Sequence, residues 1–259
     1  MKKSLFWAIA TIAVLTVLTG CEKEDEDEIP SGDVNKGATL VKGDDGKDYY
    51  VVDLGFGFQN KLWATCNIGA SSAEQYGQYF AWGETETKNY YDWETYTLCD
   101  KTWLKIKKYS VDAENTYNNT FDEKTTLEDE DDIATKRLGS KWSIPTKDDF
   151  ERLYNRCDWK CGKYNGVWGY LFTSRDNGNS IFIPLAGRRD LANLKHAESY
   201  GFYWTKNLYE DRYGNQKENE HNDNASIFKM TKPTNPTYQT YEARYLGLPI
   251  RPVYKKDKK

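Results

Sequence analysis

Few residues of this chain have the types and spacing that chemistry needs. Four cysteines, Cys66, Cys99, Cys157 and Cys161, follow the one at Cys21, and the two histidines, His196 and His221, stand apart. Structural zinc wants sulfur or nitrogen ligands in short-spaced pairs, and Cys157-x-x-x-Cys161 has no second pair to meet it. Two histidines also rule out a three-histidine catalytic metal. A Ser-His-Asp triad is open by count, but no Gly-x-Ser-x-Gly turn presents a nucleophile. Gly55-Phe56-Gly57 follows an expected strand, yet Asn60 stands where the third glycine of a dinucleotide fingerprint belongs. Glu128 to Asp132 offers carboxylates for calcium, without EF-hand spacing. Acids at a helix start have a dipole reason to be there, and that reading is preferred. The chain therefore reads as a non-enzyme with no metal and no cofactor. A glycosidase with paired carboxylates is the enzymatic alternative, and 40 acids leave its pair unnamed.

The clearest chemistry lies at the start. Lys2 and Lys3 precede an apolar run from Leu5 to Leu18, shorter than the roughly 20 residues a membrane span needs. The run ends in Leu18-Thr19-Gly20-Cys21, which resembles a bacterial lipobox. Residues 1–20 are expected to be a lipoprotein signal peptide, with Cys21 carrying the lipid as the sole membrane attachment. Residues 21–36, with Glu22-Lys23-Glu24-Asp25-Glu26-Asp27-Glu28 at their head, read as an acidic flexible tether. That run resembles the export signal of surface lipoproteins in the Bacteroidetes, which implies the outer membrane and its outer face. Loss of Lys2 and Lys3 takes the formal charge from −4 to −6, and residues 22–28 hold −5 of it. The remaining part is near neutral, which argues against nucleic acid and polybasic membrane binding.

Residues 37–254 suit one domain, and 255–259 read as a frayed basic tail. Nine Trp and twenty Tyr, against sparse aliphatics, call for a core built on rings. The anchor is Lys141 to Tyr154. Pro145 holds Ile144 extended, Thr146 caps a helix, and Asp149 answers it three residues later. Ile144 and Phe150 are placed to staple the helix start, and Phe150, Leu153 and Tyr154 share a face. A second short helix is expected from Ile133 to Leu138, with Gly139 ending it. Strands are expected at Tyr49–Leu54, Leu62–Ala64, Tyr76–Trp82, Gly201–Thr205 and Ala225–Met230. Tyr170–Ser174 and Ser180–Pro184 form a hairpin through Asn177-Gly178. Glu84–Tyr109 reads as an excursion over the surface, and Lys206–Asn224 and Thr231–Tyr245 as loops.

Val52-Asp53-Leu54-Gly55, Trp63-Ala64-Thr65-Cys66-Asn67-Ile68-Gly69-Ala70 and Tyr79-Phe80-Ala81-Trp82-Gly83-Glu84 resemble the Fibrobacter succinogenes major paralogous domain family. So do Trp142-Ser143-Ile144-Pro145-Thr146, Gly178 to Pro184, Tyr203-Trp204-Thr205 and Ile250-Arg251-Pro252-Val253. More distantly, the helix start and closing Arg-Pro-Val resemble formylglycine-generating-enzyme and C-type-lectin-like folds. The resemblance implies an α+β, C-type-lectin-like domain with short irregular antiparallel sheets, few short helices and long loops. It implies chain ends that lie close together and a binding face made by the loops. Cys66 and Cys157 fall where cysteines recur in the family, which implies a Cys66–Cys157 disulfide. The late cysteine pair of the copper enzymes is missing, as are the histidine cluster of sulfoxide synthases and the calcium-lectin motifs, so those functions do not carry over.

The expectation is a surface-exposed, lipid-anchored, monomeric binding module. It would recognise a glycan or surface protein through late-loop residues Trp204, Tyr238, Tyr241, Arg244 and Tyr245. The alternative is a structural or accessory subunit of a surface assembly.

Overall fold

The computed structural model describes residues 27–57, 61–111, 116–119, 122–210, 222–232 and 234–257. The expected signal peptide, Cys21, the tether to residue 26 and His221 lie outside them. The protein is an α+β, sheet-rich fold with few helices. Strands β1 (Ala38–Lys42), β2 (Asp48–Val52), β3 (Lys61–Ala64) and β4 (Trp142–Ser143) share a five-stranded sheet with β13 (Val253–Lys255), in the order β1-β2-β3-β13-β4. Strands β5 (Cys157–Tyr164), β6 (Val167–Ser174) and β7 (Ser180–Pro184) form a second sheet. Strands β8 (Arg188–Asp190) and β9 (Asn193–Lys195) make a small ribbon, and β10 (Tyr200–Leu208), β11 (Asn224–Thr231) and β12 (Thr237–Ala243) a third sheet. Every pairing within these sheets is antiparallel. The last strand, β13, pairs with β3 and β4 inside the sheet that also holds the first strands.

Strand alternation explains how two cores are served at once. In β2 and β3, Val51, Leu62 and Ala64 face one core while Val52 and Trp63 face the other. In the third sheet, Phe202, Trp204 and Ile227 join the first core, and Tyr203, Phe228 and Met230 the second. Both sheets are therefore apolar on two faces. Rings fill the volume, with Phe150 stacked on Phe228 at 4.6 Å and Trp142 edge-on to Tyr49 and Tyr254.

Helix α1 (Ile133–Leu138) begins at Asp132 and ends at Gly139, whose φ of 112° suits glycine. Helix α2 (Lys147–Arg156) carries the expected reciprocal capping box between Thr146 and Asp149. The staple is not made: Ile144 belongs to the first core and Phe150 to the second. Proline holds Ile144 extended in line with β4, which points it away from the helix it precedes.

Several expectations are corrected. The hairpin is present with Thr173 opposite Ser180, but only Gly178 takes positive φ. Asn177 instead donates its amide to the Asp53 carbonyl at 2.8 Å. Tyr76–Trp82 is not a strand; its backbone forms an isolated bridge from Phe80 to Leu248 and joins no sheet ladder. Glu84–Tyr109 is irregular yet not superficial. Its Tyr91, Tyr96, Cys99 and Ile106 are buried with Tyr79 and Ala81 in a small core of their own. Thr231–Tyr245 contains β12, whose alternating polar and aromatic residues pair with β11.

Both ends of the domain reach further than expected. From Asp27 onward the supposed tether is docked: Ile29 N–H donates to Lys163 O at 2.7 Å, and Ile29 is buried with Leu171 and Phe182 on the outer face of the hairpin sheet. The supposed tail is also held, with Lys255 in β13, Lys256 on Asp53 at 2.5 Å and Asp257 on Lys141 at 2.8 Å.

Candidate functional site

The late-loop residues do not come together as a site. Trp204 is core: its indole N–H donates to Phe80 O at 2.8 Å, while the indole of Trp82 donates to Thr205 O at 2.9 Å. Arg244 is fully buried. Its guanidinium donates to the Tyr96 hydroxyl and to the carbonyls of Tyr109, Asn222 and Lys108, and lies 4.7 Å from the Trp82 ring centre. Both are therefore corrected from ligand contacts to structural groups; apolar and charged side chains alike went inside because loop carbonyls needed donors there. Tyr245 is half-buried against Trp93 at 5.0 Å. Tyr241 is exposed and packs on Tyr209 at 4.3 Å. Tyr238 lies on β12, and its side chain is outside the described residues.

The cysteine pairing is corrected too. Cys66, Cys99, Cys157 and Cys161 are all free thiols. The Cys66 thiol donates to Ala70 O at 3.3 Å, whereas Cys157 is sealed in the second core. Burial pushes the Cys157 thiol up to about 12. Cys157 and Cys161 share β5, where four residues span about 13 Å, beyond the roughly 7 Å limit for a disulfide.

The acidic run is occupied by a residue of the chain. Glu128, Glu130 and Asp131 converge closely enough for a cation, and Lys108 Nζ sits among them at 3.0, 2.5 and 2.6 Å. Burial alone would lower the Lys108 ammonium, but its bonds to Asp131, Glu130 and Glu128 outweigh that and hold it charged well above the ordinary lysine range. Asp132, the last acid of the run, is buried as the cap of α1.

The concave surface with the most varied chemistry lies elsewhere, at one edge of the first core. A cleft of about 490 Å³ opens between the β1–β2 turn, the segment after β3, the last turn of α1 and β4. Tyr49, Tyr50 and Trp142 supply rings, Arg137 a cation, and Cys66 and Asn67 polar atoms. The Tyr49 hydroxyl donates to Asp45 at 2.8 Å, and burial followed by that bond pushes its pKa up to about 12. Two buried donors at this place have no acceptor among the described residues: Trp142 Nε1 and Arg251 Nη2. Arg251 lies beneath the cleft floor, donating to Asn67 Oδ1 at 2.9 Å and to Ala64 O at 3.2 Å. Burial holds the Arg251 guanidinium below its ordinary range. Arg137, paired with Glu86 at 3.8 Å, and Arg251 beneath the floor place two guanidinium groups beside the aromatic walls.

Sequence reading passed over this cleft. Tyr49 and Tyr50 stood out only as strand formers and Trp142 only as packing. The available signal was the Asp44-Asp45-Gly46 turn followed by two tyrosines, since a turn ahead of paired rings places them at a strand's open end.

Fold and site together define a sheet-rich α+β protein with an aromatic, cationic cleft. Compared with known proteins, the chain matches no family model, no curated protein and no solved structure.

Proposed function

We propose that this protein is a non-catalytic binding module whose ligand is a glycan seated in the cleft between Tyr49, Tyr50, Trp142 and Arg137. The observation that carries this reading is the meeting of aromatic walls, a guanidinium and polar atoms in one concavity. Sugar rings stack their C–H faces on aromatic side chains and use hydroxyls to satisfy donors and acceptors around them. Lipid attachment at Cys21, display on the outer face of the outer membrane, and membership of the major paralogous domain family with a C-type-lectin-like fold belong to the same reading. Its support there is the motif set at the start of the chain and along the domain.

The test is a glycan and mucin array probed with wild-type protein and with Tyr50→Ala and Arg137→Ala. Both side chains lie outside the buried core. Array hits weakened at least tenfold by either substitution are the expected result. Hits that both variants retain in full would remove the cleft from the reading. Replacement of Cys21 by serine should release the protein from membranes, and protease shaving of intact cells should remove the wild type if it faces outward.

One observation favours the alternative of an assembly subunit. Strand β1 is an open sheet edge, and Leu40 and Tyr50, directly opposite each other on β1 and β2, are 54% and 57% exposed. A protein partner recovered from outer-membrane extracts and lost with Leu40→Lys, in a protein silent on the array, would favour that reading.

A further inference from the structure

A second, smaller cavity of about 140 Å³ lies where β2 ends, β3 starts, α2 passes and β13 leaves the sheet. Its charged lining is Asp53, Lys61, Asp149, Arg152 and Lys256, with the Trp63 ring as an apolar wall. Both carboxylates are engaged by donors of the chain. Asp149 Oδ2 receives Thr146 N–H at 2.8 Å, the Thr146 hydroxyl at 2.9 Å and Lys61 Nζ at 2.5 Å. Asp53 receives Lys256 Nζ at 2.5 Å and Gly55 N–H at 2.9 Å.

The donors are not used. Each lysine ammonium has three N–H groups and gives one to its aspartate, leaving the others free. Among the described residues Arg152 makes no hydrogen bond or ion pair, and its Nε is buried without a partner there. Among the described residues three cations meet two carboxylates here, so the lining carries one uncompensated positive charge and has donors to spare. A guanidinium left half-buried without a counter-ion is costly, and an oxyanion held by its fork of N–H groups removes that cost.

We infer that this cavity is an oxyanion site, in which Arg152, supported by Lys61 and Lys256, holds a sulfate, phosphate or carboxylate group. The site is separate from the aromatic cleft and stands independently of the glycan reading. The group can be a free inorganic anion or a substituent on a sugar, and the two are separable by experiment.

The test is calorimetric titration of the full-length protein at low ionic strength with sodium sulfate and, separately, with N-acetylglucosamine 6-sulfate. The expected result is saturable 1:1 binding that weakens at least tenfold in Arg152→Gln and is unchanged in Lys105→Gln, an exposed lysine paired with Asp100. Sulfate should raise the melting temperature of wild type and leave that of Arg152→Gln unmoved, a readout independent of the heat signal. Stronger binding of the sugar sulfate than of sulfate assigns the group to a glycan; equal binding assigns it to the free ion. Arg152 has no partner to lose, so Arg152→Gln should fold, and Lys256→Gln provides a second variant. Absence of saturable binding by both probes, or binding that Arg152→Gln leaves intact, would overturn the site.

Discussion

Two arginines near the end of the chain, Arg244 and Arg251, are equally buried and differ in what they hold. Arg244 makes four hydrogen bonds, three to the irregular 84–109 segment and one to Asn222 O, that tie both to the end of β12. Arg244→Met should cost about 3 kcal/mol or more in urea unfolding, because three carbonyls and a hydroxyl lose their donor inside the protein. A change below about 1 kcal/mol would show that those groups rehydrate freely. Thiol chemistry gives a second residue-level prediction. Cys157 and Cys99 are buried, and burial raises both thiols. Iodoacetamide at pH 8 should therefore mark Cys66 in the native protein, with Cys157 and Cys99 modified only after unfolding, as read by peptide mass spectrometry. The same shifts set an alkaline limit. A folded-state value raised above the unfolded one means that the folded state binds the proton more tightly. Stability from Cys157 is thus intact below about pH 9 and lost as pH climbs towards 12, with Tyr49 acting in the same direction above pH 10. Melting temperature should fall steadily across that range.

At the scale of elements, Asp132 does more than cap a helix. Its carboxylate accepts from Ala134, Thr135 and Ile144 N–H groups and faces Lys206 Nζ at 3.2 Å, so α1, β4 and β10 converge on one side chain. Asp132→Ala should destabilise by about 3 kcal/mol, clearly more than the roughly 1 kcal/mol expected for the cap substitution Thr146→Ala. Equal effects in a denaturant titration would reduce Asp132 to an ordinary cap. Elements were legible in the sequence where the signal was local. The capping box at Thr146, the stop at Gly139 and the turn at Gly178 depend on neighbours in the chain, and each stands where expected. Aromatic runs were less legible. Tyr76–Trp82 has the composition of a strand, but its backbone bonds are scattered over Ile68, Leu248 and Arg244. Late-loop rings and Arg244 looked available for a ligand because burial there is decided by segments more than a hundred residues away. The cleft was invisible for the same reason: it joins β2, α1 and β4, and no spacing in the sequence reports that Tyr49 meets Trp142.

For the whole molecule, the decisive strand is the last. β13 lies between β3 and β4, in the interior of the five-stranded sheet, and Val253 contributes to the second core. Truncation after Pro252 should abolish cooperative thermal unfolding, whereas removal of Lys258 and Lys259 alone should leave the melting temperature within about 1 °C. A truncated chain that still melts sharply would mean that β3 and β4 can close on each other. The bond from Arg251 to Ala64 O joins residues 187 positions apart. Placing a late strand at the centre also orders events in time. However early β1 to β4 emerge, their sheet has an unfilled slot until residue 255 is free to enter it, and contacts of such sequence separation form slowly. The sheet is therefore a lock whose key is cut last: it closes only when the final strand arrives.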